Sequence, residues 1–294
     1  MDLCAATYTR HVFARHMHEG FAIAVVEAGA GEFNARGARH VAPAGAITVL
    51  HPEEAHTGAA ARSGAPDGGA CLTYRTFHLS RDAALRLAGV GELDGRWGTP
   101  TFAAPVLDDA PLARRLLALH DLLRASPAPL AQACALEQTL GDLFRRHAVL
   151  GPRAGRWVED SPPRSGRTRA DGTAAVIHRA REYLDGRYHD AVTLAELVRV
   201  TGVSESRLLR LFRRNVGLPP YAYVLTRRVE AAKRRLDAGD PAAQVALACG
   251  FADQSHLTRH FTRIVGLSPV QYARRPRIGV AVIEKRGASR RPSP

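Results

Sequence analysis

The sequence predicts a multidomain β + α protein: an N-terminal β-barrel with a helical extension, then a C-terminal all-α domain built from two helix-turn-helix units. Three observations predict it. Residues 1 to 108 hold short runs of Val, Ile, Thr and aromatic residues between Gly-, Pro- and Ala-containing turns, which is the pattern of antiparallel strands. From residue 173 onward apolar residues recur at three- and four-residue spacing, the period of a helix face. Charge divides at the same place: residues 171 to 294 hold 22 Lys and Arg against 11 Asp and Glu, whereas residues 1 to 170 hold 19 against 17. A basic module beside a near-neutral one is the electrostatic footprint of a phosphate-binding domain joined to one that does not bind phosphate. Arginine-biased composition explains the choice of Arg over Lys but not the asymmetry. A length of 294 residues is enough for two cores.

In the N-terminal part, Phe21 to Val26, Gly31 to Asn34, Ala46 to Leu50 and Leu72 to His78 read as strands. A double-sheet barrel buries one face of each and protects the edges. His16 and His18 alternate along one strand face, and His56 lies on a later element. Arg75, Phe77 and His78 sit on a late strand, where alternation sends only every second side chain inward. Residues 109 to 150 switch to helical spacing. Leu112, Leu116, Leu119 and Leu123 form one stripe, and Leu136, Leu140, Leu143 and Phe144 another. The stripes suit a cover for the barrel's open face, a dimerisation element, or both. Residues 151 to 172, rich in Pro, Gly and Arg without apolar periodicity, read as a linker.

The C-terminal domain, residues 173 to 275, repeats one arrangement. A helix from Thr193 turns at Gly202, Ser204 caps, and Glu205 to Asn215 forms its partner, with Leu208, Leu211 and Phe212 inward and Ser206, Leu209, Arg210 and Arg213 outward. About fifty residues later a helix with Val245, Leu247 and Ala248 on one side halts at Gly250. Asp253 then caps a second helix whose Leu257, Phe261 and Ile264 face inward and whose Gln254, Ser255, Thr258 and Arg259 face outward. Side chains of those types on the second helix of such a motif can bond base edges in a major groove. Tyr221 to Leu236 links the repeats as a basic rod of about 24 Å at roughly 1.5 Å per residue. With the motif widths added, it can hold two reading helices roughly 34 Å apart, one groove repeat. Residues 276 to 294 read as a basic flexible tail.

Gly-Phe-Ala-Asp-Gln-Ser-His-Leu-Thr-Arg-His-Phe from Gly250, followed by Gly-Leu-Ser-Pro and Gln-Tyr, resembles the signature of the AraC/XylS family of bacterial transcription regulators. The resemblance spans Ala174 to Arg275. It implies that the two motifs bind adjacent major-groove segments of double-stranded DNA, read by Ser206, Leu209 and Arg210 in the first motif and by Gln254, Ser255, Thr258 and Arg259 in the second. Leu209 departs from the polar residue usual at its position, so the first motif relies more on Arg210 and on apolar contact with thymine methyls.

A second resemblance lies in His16-x-His18, Gly31, Gly37, Pro43-Ala-Gly45 and Pro52-Glu-Glu-Ala-His56, which is similar to the cupin-like sensor domain of many AraC-type regulators. It implies a double-stranded β-barrel that binds a small-molecule effector. His16, His18 and His56 admit three readings: effector contact, a structural role, or metal ligation. Metal-dependent cupins place a carboxylate soon after His-x-His and a histidine three residues past the glycine of Pro-x-Gly. Here the next acid beyond Glu19 is Glu27, and the second position holds Thr48. The expectation is therefore no metal, no cofactor and no catalysis.

The four cysteines form no Cys-x-x-Cys pair, so neither a zinc knuckle nor a disulfide framework is expected, and Cys249 reads as a core residue. No run approaches twenty apolar residues and no signal peptide opens the chain, so the expectation is a cytoplasmic protein with no membrane partner. The functional expectation is a sequence-specific transcription regulator that acts as a homodimer, with promoter DNA, a small-molecule effector and RNA polymerase as partners. Its rivals are a metal-dependent cupin enzyme fused to a DNA-binding module and a non-specific architectural DNA binder.

Overall fold

The computed structural model describes residues 1–61, 71–89, 98–125, 129–150, 167–274 and 280–284. The N-terminal part comprises β1 (Asp2–Tyr8), β2 (Val12–His16), β3 (Phe21–Ala35), β4 (Ala38–Pro43), β5 (Ile47–Leu50), β6 (His56–Ala60), β7 (Leu72–Leu79), the short helix α1 (Arg81–Leu87), β8 (Thr101–Phe102) and β9 (Val106–Leu107). Then come α2 (Ala110–Ala125), α3 (Pro129–His147) and β10 (Ala148–Val149), which pairs with β8. The C-terminal part comprises α4 (Arg167–Arg187), α5 (Leu194–Thr201), α6 (Glu205–Val216), α7 (Pro220–Asp237), α8 (Ala242–Ala248), α9 (Gln254–Val265), α10 (Pro269–Ala273) and β11 (Val280–Glu284).

The main sheet runs β11-β1-β7-β3-β5-β9, and β4, β6 and β2 extend a second layer from the far half of β3. Two strands expected from the sequence, around residues 21–26 and 31–34, are one strand. An irregularity in its register between Val26 and Ala28 bends it from one layer into the other. The layers make the expected cupin-like double-sheet β-domain, but among the described residues the sheet does not close into a barrel.

Alternation along β7 sorts its two faces. Phe77 and Leu79 join Phe21, Ile23, Val25, Ile47 and Val49 in a core sealed by Leu112, Leu116, Leu119 and Leu123 of α2 and Leu140, Leu143 and Phe144 of α3. The leucine stripes thus cover one face of the sheet. Tyr74, Thr76 and His78 point to the opposite face, into a cavity.

The expected tail is corrected in part. Residues 280–284 lie parallel to β1, from Leu3 opposite Val280 to Thr7 opposite Glu284. The run Val280-Ala-Val-Ile283 has strand composition that the surrounding arginines obscure in a compositional reading. The expected linker extends only partly as drawn: α4 begins at Arg167, and residues 151–166 lie outside the described set.

In the C-terminal domain local chemistry sets each boundary. Thr193 and Glu196 form a capping box at the start of α5, and Gly202 ends that helix in the left-handed conformation (φ 70°). Asp253 accepts the His256 N–H at 2.7 Å to cap α9. Leu197, Leu208 and Phe212 are buried in the first unit, with Leu211 half-buried; Val245, Leu257, Phe261 and Ile264 are buried in the second. Leu247 and Ala248 are the exceptions, because α8 turns Val245, Ala246 and the following Cys249 inward and leaves Leu247 69% exposed and Ala248 exposed beside it. The linking helix α7 is the most buried of the domain, with Tyr223, Val224, Val229, Ala232 and Leu236 packed between the two units.

The two halves of the protein are not separate bodies. Ala6 and Tyr8 of β1 belong to the core of the second helix-turn-helix unit, and Met17 and Ala55 belong to the core of the first. Polar links accompany this packing. The Arg15 Nε–H donates to the Gly217 carbonyl at 2.8 Å, and Glu19 accepts from both Arg227 (2.9 Å) and Arg234 (2.8 Å) of α7.

Candidate nucleic-acid interface and sensor cavity

The outward faces of α6 and α9 are where the sequence places them. Ser206, Leu209, Arg210 and Arg213 are exposed on α6, and Gln254, Ser255 and Arg259 on α9. Thr258 is half-buried, and its hydroxyl donates back to the Gln254 carbonyl at 2.8 Å, leaving only its oxygen lone pairs for an external donor. Leu209, 36% exposed, is an apolar residue set among cationic ones. The two faces differ in chemistry: α6 presents Arg207, Arg210, Arg213 and Arg214, whereas α9 mixes an amide, two hydroxyls and a guanidinium. The first composition suits guanine edges and phosphates, and the second suits adenine and guanine.

The second feature is a cavity of about 220 Å³ beneath the sheet face opposite α2 and α3. Its walls come from both halves of the chain. The β-domain contributes His16, His18, His56, Tyr74, Thr76 and His78 with apolar residues such as Phe13, Val26 and Leu72. The C-terminal half contributes Glu230, Lys233, Ile264, Leu267 and Tyr272. Of Arg75, Phe77 and His78, only His78 faces the cavity. Phe77 is in the opposite core, and Arg75 pairs with Glu27 and Asp121.

His16, His18 and His56 meet at one end of this cavity. Ring centroids are 4.4 Å apart for His16 and His56, 4.8 Å for His16 and His18, and 5.1 Å for His18 and His56. His78 stands 5.3 Å beyond His18. The tautomers of two of these rings follow from their bonds. Nδ1 of His16 lies 2.7 Å from the Ala14 carbonyl and Nδ1 of His56 lies 2.9 Å from the Glu54 carbonyl. A carbonyl only accepts, so each Nδ1 carries the hydrogen and each Nε2 keeps its lone pair. Burial pushes both groups down, helped by the neighbouring imidazoles; His56 falls to about 3 and His16 to well below the usual histidine range. His78 is lowered by burial and by His18.

Glu230 is the cavity's carboxylate. Burial alone would raise its pKa, but Lys233 and His18 outweigh burial and hold it well below the usual range. Both carboxylate oxygens accept from Lys233, Oε1 at 3.2 Å and Oε2 at 3.0 Å, and Oε1 also lies 3.8 Å from Nδ1 of His18. Sequence reasoning passes over both residues because they lie on a helix read as a basic rod. The available signal is that Glu230 is the sole acid between Arg227 and Arg235, in a stretch that otherwise carries five cations.

Comparison with known proteins matches both halves. Residues 1–140 match the model of the AraC-like ligand-binding domain, and residues 197–275 match a helix-turn-helix domain model. An uncharacterised helix-turn-helix transcriptional regulator of Bacillus subtilis, YbfI, is 28% identical over 245 residues, covering 83% of this chain and 81% of its own. The regulator LumQ of Photobacterium leiognathi is 34% identical over 91 residues, 31% of this chain and 37% of its own. Among solved structures, ToxT of Vibrio cholerae superposes with a TM-score of 0.53 at 10% identity, covering 92% of this chain and 95% of that one. A form of ToxT with an unsaturated fatty acid bound superposes with a TM-score of 0.52 at 9% identity, covering 92% and 93%. At such identities the likeness is one of fold.

Proposed function

Because the chain belongs to the AraC family of transcriptional regulators, with an AraC-like ligand-binding domain ahead of its helix-turn-helix domain, we propose that it reads a specific promoter sequence under the control of a small-molecule effector. The observation that carries this reading is the pair of exposed faces, Ser206, Leu209, Arg210 and Arg213 on α6 and Gln254, Ser255, Thr258 and Arg259 on α9, joined through the buried helix α7. The effector site is the cavity shared by the two halves. Its lining is mostly apolar with a polar end, which fits a small, largely apolar molecule.

An occupant touching His16, His18 and His56 on one side and α7 and α9 on the other has different contacts in the docked and undocked arrangements of the two halves. Only that difference can shift DNA binding. Dimeric binding to paired half-sites, by a cytoplasmic protein that contacts RNA polymerase, completes the proposal. Among the described residues no helix is long and apolar enough to cross a membrane. The family and the relatives are regulators, which favours this reading over an enzyme fused to a DNA-binding module.

The test is selection of bound sites from random duplexes, followed by competition at fixed salt. A regulator of this kind enriches one motif and prefers it by roughly 10³-fold or more over unrelated DNA, because phosphate attraction alone does not distinguish sequences. Equal competition by unrelated duplexes would replace this reading with that of an architectural binder.

A further inference from the structure

His16, His18 and His56 form the one group among the described residues in which three potential ligand atoms approach within 4.8 Å of one another. The sequence argues against a metal there because the β-domain lacks both the carboxylate after His-x-His and the histidine after Pro-x-Gly, where Thr48 stands. In the folded chain a carboxylate arrives from elsewhere: Glu230 of α7, more than two hundred residues from His18, places Oε1 3.8 Å from Nδ1 of His18.

We propose that His16, His18, His56 and Glu230 form a site for one divalent transition cation of the zinc, cobalt and nickel class, closed only when the DNA-binding half docks on the β-domain. The donor set is three imidazoles and one carboxylate, which suits such ions and not calcium or magnesium. Two features beyond proximity point to a ligand. The Nδ1–H groups of His16 and His56 are anchored on the backbone carbonyls of Ala14 and Glu54, so both Nε2 lone pairs are presented as metal-bound imidazoles present theirs. His18 Nδ1 is buried without a hydrogen-bond partner, and its nearest charged neighbour is Glu230.

Tetrahedral ligands about 2.1 Å from an ion lie roughly 3.4 Å apart, so the widest separation among the three histidines closes by about 1.4 Å through side-chain rotation, while Glu230 turns in from the His18 side. Lys233 donates to both oxygens of Glu230, so ligation by Oε1 requires the 3.2 Å bond to that oxygen to be released. Lys233 can keep Oε2 at 3.0 Å while Oε1 turns to the ion, as a residue that orients a ligating carboxylate does. The ion would sit at the imidazole end of the cavity and leave its apolar part to an organic effector. The site goes beyond the regulatory reading and holds whether or not DNA is bound.

The test uses tag-free full-length protein stripped with a chelator and titrated with Co²⁺, then with Zn²⁺ against a chromogenic chelator. The expected result is one saturable equivalent with a visible d–d band. His16→Gln and His56→Gln should each weaken binding at least roughly tenfold, and Glu230→Gln should weaken it by a similar factor and shift the band. Thermal melts identify any variant that does not fold, and the comparison of wild type with Glu230→Gln suffices if a histidine variant fails. Absence of a saturable band would overturn the site. An unchanged band and affinity in Glu230→Gln would overturn its inter-domain character.

Discussion

Two glycines that end helices in the same conformation allow the contact between the halves to be weighed. Gly202 ends α5 at φ 70° and Gly217 ends α6 at φ 77°, so alanine at either costs about 1–2 kcal/mol for the left-handed backbone. At Gly202 a Cβ would meet nothing within 4 Å, and the backbone cost is the whole cost. At Gly217 it would lie 2.7 Å from the Cβ of Ala55 and 3.4 Å from the Arg15 guanidinium. Carbon atoms prefer about 3.5–4.0 Å, so the β-domain must move away by close to 1 Å. Overpacking of that size costs about 1–3 kcal/mol, and it strains the Arg15 bond to the Gly217 carbonyl. Gly217→Ala should therefore lose about 2 kcal/mol more than Gly202→Ala. Chemical denaturation of the two full-length variants at equal slope measures the difference. Equal losses, or a larger loss at Gly202, would show that the halves do not dock as described.

Other outcomes follow from single sites. Arg259→Ala should weaken binding to the selected operator by about 1–3 kcal/mol and to random DNA by much less, measured by competition; equal loss on both would make Arg259 a phosphate contact. Phe261→Ala should cost about 3–5 kcal/mol, because the ring is fully buried against Tyr272 at 5.2 Å, and its thermal melt should fall accordingly. His120, buried beside Phe77, is pushed down to about 4 by burial and by Arg75 and Arg124. The unfolded chain takes up this proton near the ordinary histidine pKa and the folded chain only near 4. The stability linked to neutral His120 is therefore complete above about pH 6.5 and lost as pH falls toward 4. His120→Leu should flatten that part of the stability-versus-pH curve by roughly 2 kcal/mol, and an unchanged curve would exclude the shift.

The helical domain was legible because its signals are local. Asp253, Gly202, Gly217 and Gly266 sit at helix ends for reasons of capping and backbone angle, and Leu208, Phe212, Leu257 and Phe261 mark the inward faces by spacing alone. Leu247 and Ala248 escaped because α8 is seven residues long, too short for periodicity to fix its face. The bend that makes one strand of β3 was hidden, since Glu27 to Ala30 resembles a turn in composition while the backbone continues through it. The cavity was half legible. His16, His18 and His56 could be grouped from their motif, but Glu230 and Lys233 reach them only through packing of α7 on the β-domain, which no local spacing encodes.

We propose that α6 and α9 of one subunit read two successive major-groove segments. Methylation interference at guanine N7, on an operator selected from random duplexes, tests it most directly. Two clusters of interfering guanines should be centred about ten base pairs apart on one DNA face. Arg210→Ala should abolish interference in one cluster and Arg259→Ala in the other. A single cluster, or two clusters lost together in either variant, would contradict it.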